Sequence, residues 1–496
     1  MEFICGEDRE QIILFPDSID EYVDENGTVR VIDAYIDSLD LYALGFSRPQ
    51  PKETGRPPYD PKDILKLYVY GYINRIRSSR RLEAESKRNL EVLWLLRKLT
   101  PDHKTIANFR RDNGTALKNV FRDFVKLCMK MGLYGKELAA VDGSKFKAVN
   151  SKDRNFTKDK LKKRLEQIDK KIEEYLEELD KTDREEEKVE KEKSAEEIRQ
   201  IVEELNERKG RYKAYEEELE ETGEKQKSLT DGESRLMSAN GRLDVCYNIQ
   251  TAVDAKNKLI VEFEVTNKAN DLNQLSPMVV KAQEILEVER MAVVADTGYD
   301  SASDIAAAVR KGIEVHVAGT DYDICVPVEE GEGEEIKSHT KGRCVYLPDR
   351  NVAVCPMGKT LYPNCYKKSG RQAVYNNSGA CKACTCRCTA SNRGQYFEIV
   401  MEESDFTMEY NDKDLKVRQI HIKPNRTMYK QRKSLSEHPF GTIKRSMDGG
   451  YCLTKGIKKV SAEFSLAFLA YNLKRVINIL GCKELMERIV HRTCPV

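Results

Sequence analysis

Apolar residues along this chain change their period several times, and each change predicts a different kind of element. Ile64, Leu65, Leu67, Tyr68, Tyr70, Ile73 and Ile76 recur at helical spacing from Pro61 onward. Leu90, Val92, Leu93, Leu95 and Leu96 continue the helical pattern. Thr100-Pro101-Asp102 then reads as a stop and a fresh start, with the proline early in the next helix. That helix, residues 103–111, sets basic and hydrogen-bonding side chains on an exposed face over Ile106 and Phe109. The first fifty residues read as a loosely built lead-in, ending in a Pro-rich linker at 47–58.

Leu138-Ala139-Ala140-Val141-Asp142 predicts a strand closing on a carboxylate. Leu161, Leu165, Ile168, Ile172, Tyr175 and Leu179 then form a heptad seam. The seam falters at 180–184 and resumes at Ile198, Val202, Leu205, Tyr212 and Leu219, which predicts two helices folded back as an antiparallel hairpin. From Asp244 the pattern turns strand-like. Residues 245–253 and 259–265 predict two strands of a hairpin turning at 254–258. A helix over 272–287, a buried strand over 291–295, a helix over 301–311 and a strand over 313–318 follow. This succession describes an α/β core with a mixed sheet. A cysteine-rich insert interrupts it before a final helical region from about Ser434.

Charge adds what hydropathy does not. The 496-residue chain has a formal net charge of +1, but that sum hides segregation. Residues 61–136 hold 18 Lys/Arg against 7 Asp/Glu, residues 158–227 hold 19 against 25, and residues 416–445 hold nine against the single acid Glu437. Two separated basic segments point to a polyanionic partner; a helical protein-docking domain is the competing reading of the first. No window offers the roughly 18 consecutive apolar residues a membrane span requires, and the first residues lack the basic-then-apolar order of a secretory signal. The expectation is a soluble, cytoplasmic, nucleoid-associated protein. Length predicts two to four domains. Fourteen cysteines in such a chain suggest free thiols and a metal site rather than disulfides.

Three carboxylates stand out. Asp142 ends a predicted strand just before Gly143, Asp296 ends another and is followed by Thr297 and Gly298, and Glu437 is isolated in a basic window. Carboxylates at strand ends are rigidly aimed, and phosphodiester chemistry by paired divalent cations, about 4 Å apart, needs such oxygen ligands. Each also has a plainer explanation, a turn or cap for the aspartates and a Ser434-x-x-Glu437 capping box for the glutamate.

Taken together these residues resemble the acidic-triad (DDE) transposases of bacterial insertion sequences, over about residues 58–480. Pro58 to Pro61, Tyr70-Gly71-Tyr72, Arg77 to Arg81 and Pro101 to Arg110 resemble that family's helical N-terminal domain. Val141-Asp142-Gly143-Ser144-Lys145 and Ala295-Asp296-Thr297-Gly298-Tyr299 resemble its first two acidic motifs. Tyr429, Arg432, Glu437 and Lys444 follow the third, a Tyr-x2-Arg-x4-Glu-x6-Lys pattern with the Arg-to-Glu gap one residue longer than in its tightest form. In a regular helix Lys444 would share a face with Glu437.

The resemblance implies a ribonuclease-H-like core and catalysis at two Mg²⁺ or Mn²⁺ per active site, held by Asp142, Asp296 and Glu437. It implies phosphate contacts from Tyr429, Arg432, Lys444 and Arg445, and DNA contacts from Arg77, Arg80, Arg81, Lys104, Arg110 and Arg111. The expected partners are the double-stranded terminal inverted repeats and target DNA, with a homodimer in the synaptic complex and no membrane. A nuclease of the same fold without strand transfer, and a domesticated non-catalytic DNA-binding protein, are the rival readings. Cys355, Cys365, Cys381, Cys384, Cys386 and Cys388 crowd into 34 residues. A structural Zn²⁺ on Cys355, Cys381, Cys384 and Cys388 is the expectation; neither His316 nor His339 stands at ligand spacing to them.

The resulting division is a lead-in and linker at 1–57, a helical DNA-binding domain at 58–136 and the first part of the catalytic core at 137–157. A charged coiled-coil hairpin insertion follows at 158–227, then core again at 228–320, the Cys-rich insert at 321–415 and the C-terminal core with the Glu-bearing helix at 416–496.

Overall fold

The computed structural model describes residues 18–47, 57–182, 195–224, 226–239, 241–328, 336, 342–384, 394–411 and 415–493. Most of the Pro-rich linker (48–56), part of the seam's weak point (183–184), His339, Cys386 and Cys388 lie outside the described residues.

The N-terminal region is helical throughout. Helix α1 (Thr28–Asp37) buries Val29, Val31, Ile32, Tyr35 and Ile36, so the opening segment is part of the core rather than a loose lead-in. Its acids Asp33 and Asp37 lie 2.6 and 2.8 Å from the buried ammonium of Lys66, which belongs to α2 (Pro61–Ile73). The short helices α3 (Ser79–Glu85) and α4 (Leu90–Leu95) follow. Helix α5 (His103–Asp112) begins after Pro101: Asp102 is its cap, accepting the amides of Lys104 and Thr105 at 2.9 and 3.0 Å. The proline therefore precedes the cap and is not in the first turn. Helix α6 (Gly114–Lys130) leads into the sheet.

Strand β1 (Leu138–Lys147) runs five residues past Asp142. After β2 (Asn155–Thr157), α7 (Lys158–Thr182) and α8 (Ala195–Glu221) pack on one another. Leu161 clusters with Leu219, and Lys209 pairs with Asp169 at 2.5 Å, contacts whose residue numbers run in opposite directions along the two helices. Strand β3 (Gln226–Ser228) pairs with β2, closing the base of this hairpin.

The core sheet is completed by β4 (Arg235–Ala239), β5 (Arg242–Asp254) and β6 (Ile260–Thr266). Helix α9 (Leu275–Leu286), β7 (Met291–Ala295), α10 (Ala302–Arg310) and β8 (Ile313–Val317) complete the alternation. The order is β6-β5-β1-β7-β8, with β4 pairing the other half of β5's outer edge. Strands β1, β7 and β8 are parallel, whereas β5 and β6 are antiparallel to their neighbours. This mixed sheet with helices on its faces is consistent with a ribonuclease-H-like core.

Strand β9 (Tyr322–Pro327) opens the cysteine-rich segment. Within it β10 (Val345–Leu347), β11 (Val352–Val354), β12 (Thr360–Lys367), β13 (Gln372–Asn376) and β14 (Tyr396–Val400) form an antiparallel meander, with α11 (Ser378–Lys382) between the last two. Strand β15 (Val417–Ile422) then pairs with β9 at the segment's neck.

Helix α12 is Arg426–Gly441 and passes into a π-helical turn at Thr442–Ser446. Helix α13 (Ile457–Leu480) is buried on nearly all sides between residues 462 and 473, as a helix without a polar face must be. It packs against α2 and α6 on one side and β6 on the other, joining the helical region to the sheet. Helix α14 (Cys482–Thr493) returns to α1.

Candidate active site

The site begins where β7 stops. Strand β5 pairs β1 from Ala139 through Lys147, but β7 pairs only Leu138 through Ala140. Past Ala140 that edge of β1 has no strand partner among the described residues until Lys147, which bridges Tyr451, and the turn after β7 folds beside the gap. Asp296 caps that turn, accepting the Gly298 amide at 2.8 Å. Asp142 lies mid-strand rather than at the strand end, because its antiparallel neighbour carries the ladder onward.

Helix α12 lies over these two strands. Asn425 caps it, accepting the amides of Thr427 and Met428 at 2.9 and 3.3 Å. The Asn425 amide in turn donates to Nδ1 of the buried His316 on β8, at 3.3 Å. Burial keeps that imidazole below its usual pKa, which suits an acceptor role. Ser434 is thus mid-helix and donates to the Gln431 carbonyl at 3.1 Å, so a capping box does not account for Glu437. Leu435 packs on Ala140 and Val294. Arg432, Leu435, Ser436, Pro439 and Phe440 form the inward face. Glu437 sits on the adjoining, exposed flank.

Pro439 inside the helix removes an amide donor, and the next turn widens to π geometry. Lys444 therefore does not follow Glu437 by regular helical phase. Its ammonium instead donates to Ser144 Oγ at 2.7 Å and the Lys145 carbonyl at 3.0 Å, and sits 4.4 Å from the Phe146 ring centre. Arg432 stacks over Tyr429, 5.7 Å from its ring centre. Arg445 is exposed.

Burial pushes the Asp142 carboxyl up to about 6; the adjacent Ser436 hydroxyl and Arg432 oppose the rise, and the Asp296 charge adds to it. Lys444 is held below the ordinary lysine value by burial, which the neighbouring Cys246 and Asp142 partly offset. Asp142 and Asp296 are thus brought together, under Arg432, Ser436 and Lys444. Glu437 stays apart from them on its exposed flank, and among the described residues no three His, Cys, Asp or Glu side chains are grouped to hold a metal ion.

Nothing in the sequence singles out Asp271. It lies in the loop between β6 and α9, where an Asn-Asp pair reads as an ordinary turn. Its carboxylate accepts Gln250 Nε2 at 2.6 Å and Asn248 Nδ2 at 2.7 Å, with Lys145 Nζ at 3.3 Å. Tyr299, fully buried, donates to Gln250 Oε1. Its phenol is raised well above the ordinary value by burial and then by Asp271, Asp142 and Asp296. Ser436 and Lys145 also escape a reading by sequence, since each stands there only as a neighbour of a motif acid.

The expected DNA-contacting cations divide into two groups. Arg77 is buried, meets Glu463 of α13 at 2.5 Å, and donates to the Tyr451 carbonyl at 2.6 Å and to the Asp448 carbonyl. Arg110 is also buried, over the Tyr68 ring and 3.3 Å from the Tyr72 hydroxyl. Both are interior ions that hold helices together, not phosphate contacts. Arg80 and Arg81 on α3 and Lys104 and Arg111 on α5 are exposed; Arg111 forms a salt bridge with Asp112 at 2.6 Å.

In the cysteine-rich meander, Cys355 Sγ accepts the Lys359 amide at 3.3 Å, and Cys381 Sγ accepts the Gln395 amide at 3.4 Å. Asn377, which caps α11, donates to the Thr360 carbonyl at 2.9 Å and so ties the Cys381 turn to the Cys355 turn. Cys384 is partly buried and Cys365 exposed. Cys388, the remaining expected ligand, lies outside the described residues.

Comparison with known proteins bears on the whole arrangement. Residues 17–112 match the family model described as transposase domain (DUF772), and residues 354–477 match the one described as transposase DDE domain. The second span includes Glu437 and Lys444 but not Asp142 or Asp296. No curated protein matches. Among solved structures, a cryo-EM structure of a piggyBac transposase synaptic complex with hairpin DNA aligns over 95% of this chain and 80% of that chain. Its identity is 8% and its TM-score 0.28, too low to support an argument. No helix among the described residues is long and apolar enough to cross a membrane. The chain thus carries a transposase N-terminal domain and a transposase DDE domain, the latter that of a polynucleotidyl transferase of DNA transposition.

Proposed function

We propose that Asp142, Asp296 and Glu437 form the catalytic triad, cutting DNA at element ends and joining the freed ends to target DNA. The observation that carries this is the pairing of Asp142 with Asp296 beneath Arg432, Ser436 and Lys444. Two acids side by side, one with its carboxyl raised to about 6, form an anionic centre suited to a hard divalent cation. Glu437, next in sequence to Ser436, completes the set when DNA and cation bind. DDE transposases generally use divalent ions, and Mg²⁺ or Mn²⁺ held here in a pair would polarise the scissile phosphate and stabilise charge on the attacking and leaving oxygens.

The chain's own residues supply the rest. Lys444 and Arg432, with Tyr429 and Arg445 beside them, contact the phosphates flanking the scissile bond and orient it toward Asp142. Asp142, Asp296 and Glu437 would hold these ions. Hydrolysis at the element end frees a 3′-hydroxyl, which attacks a target phosphodiester in line and releases a new 3′-hydroxyl. Arg80, Arg81, Lys104 and Arg111 bind the backbone of the terminal repeat, and a homodimer holds two ends together. Cys355, Cys381, Cys384 and Cys388 would hold a structural Zn²⁺, which would stiffen the meander.

The test is cleavage and strand transfer on a labelled terminal-repeat duplex in Mg²⁺. Asp142→Asn, Asp296→Asn and Glu437→Gln each abolish both while leaving end binding within a few-fold. Full cleavage by any one of them removes that residue from the triad. Cleavage without joining by the unaltered protein would favour the nuclease reading.

A further inference from the structure

Asp271 is held by more donors than a loop aspartate needs, and its position explains why. On the face of the sheet opposite α12, Gly143 pairs with Gln250 and Lys145 with Asn248. Gln250 and Asp271 together fill the space left by the missing side chain at 143: a Cβ there would meet Gln250 Nε2 first, then Asp271 Oδ1 at 2.5 Å and Asn248 Oδ1 at 3.0 Å. A Cβ on Gly298 would meet Asp296 Oδ1 at 3.0 Å and Asp271 Oδ2 at 3.5 Å. The two glycines that flank Asp142 and Asp296 thus both open onto the Asp271 carboxylate. A methyl group at either would crowd it.

Two further features point to a cation. Asn248 is fully buried, and its Oδ1 beside Asp271 has no hydrogen-bond donor. An orphaned buried acceptor beside a carboxylate can be satisfied by a metal ion or by the water such an ion carries. The positive charge that meets Asp271 is Lys145, whose ammonium lies 3.3 Å from both carboxylate oxygens and is largely buried. A buried carboxylate without a cation would be strongly disfavoured, so Lys145 neutralises it in this state.

We propose that Asp271 is a further acidic ligand for the cation held at Asp296, whose turn glycine it adjoins, and that Lys145 is its internal counter-ion, displaced when a divalent cation arrives. This rests on the reading of Asp142 and Asp296 as the metal-holding pair. Gln250, braced by Tyr299, and Asn248 act as positioning residues for Asp271.

The experiment titrates Mn²⁺ into the full-length protein without DNA, following free ion by electron paramagnetic resonance. Asp271→Asn weakens Mn²⁺ binding tenfold or more, and Lys145→Gln strengthens it at least threefold by removing the competing charge. A pairing that served only structure would move both variants in the same direction, since each breaks the same ion pair; that result overturns the proposal. So does an Asp271→Asn protein that binds like the unaltered one while Asp142→Asn has no binding, which leaves the Asp142–Asp296 reading intact. Undiminished Mn²⁺ binding by Asp142→Asn removes that reading and this proposal with it. If Asp271→Asn does not fold, Lys145→Gln decides alone: tighter binding supports the exchange, and equal or weaker binding refutes it.

Discussion

Asp142→Asn keeps the side chain's shape and removes its charge, and the structure gives the consequence for stability a sign and a size. In the folded protein the Asp142 carboxyl is raised to about 6 from an ordinary 3.8. Protonation is therefore favoured by folding, and the stability it brings is complete below about pH 4 and lost as pH rises to about 6. Above that the unaltered, metal-free protein carries the full cost of an ionised acid beside Asp296. At about 1.4 kcal/mol per pH unit the cost approaches 3 kcal/mol. Solvent reaching the partly exposed carboxylate reduces this to about 1–2 kcal/mol. The variant is neutral throughout and escapes it. In chelator at pH 8, Asp142→Asn should melt a few degrees higher than the unaltered protein, with the gap closing toward pH 4. Adding Mg²⁺ should narrow the gap, because only the unaltered site gains binding energy from the ion. Differential scanning fluorimetry across pH, with and without Mg²⁺, reads all of this. A difference that ignores pH, or a variant less stable at pH 8, would refute the reasoning.

Other substitutions separate roles that look alike in the sequence. Arg77→Ala leaves Glu463 buried without its cation and should cost about 3 kcal/mol or more in denaturant unfolding. Arg80→Ala with Arg81→Ala should leave unfolding unchanged and lower the salt dependence of end binding, by about one in log–log slope for each phosphate no longer neutralised. Lys444→Met should slow cleavage on the order of 100-fold with end binding within a few-fold, as removal of a preorganised cation near the reacting phosphate predicts. Purified protein should hold one zinc per chain by elemental analysis, and Cys381→Ser or Cys384→Ser should lose it; equal metal content in all three rejects the site.

How far the sequence reaches depends on whether the signal is local. Strand β7 is legible to the residue because five consecutive apolar side chains buried on both faces leave no other element to choose. Asp142 and Asp296 stand out because each lies where an apolar run ends. The full length of β1 is not legible, because its second half, Asp142 to Lys147, alternates polar groups that only β5 and Lys444 explain. Arg77 looks like any arginine of a basic helix, and its partner Glu463 lies 386 residues away. The helix bearing Glu437 starts at an ordinary asparagine cap, Asn425, but the bond that ties that cap to His316 of another element is not written in any local pattern. Helix α1 escapes notice because its apolar stripe is short and its stabilising pair, with Lys66, crosses the linker.

Both long excursions from the sheet are clipped at their roots. The β2–β3 pair closes the helical hairpin, and β9–β15 closes the cysteine-rich meander. Entry and exit therefore sit one strand spacing apart, so the core meets each excursion as though it were a tight turn. Loop closure is settled at the clip, and the length beyond it adds little to the entropy of ordering the sheet. Each excursion can then be lengthened, shortened or exchanged for another without re-registering β1 against β7, which makes the two necks the natural joints for grafting a foreign module onto this enzyme.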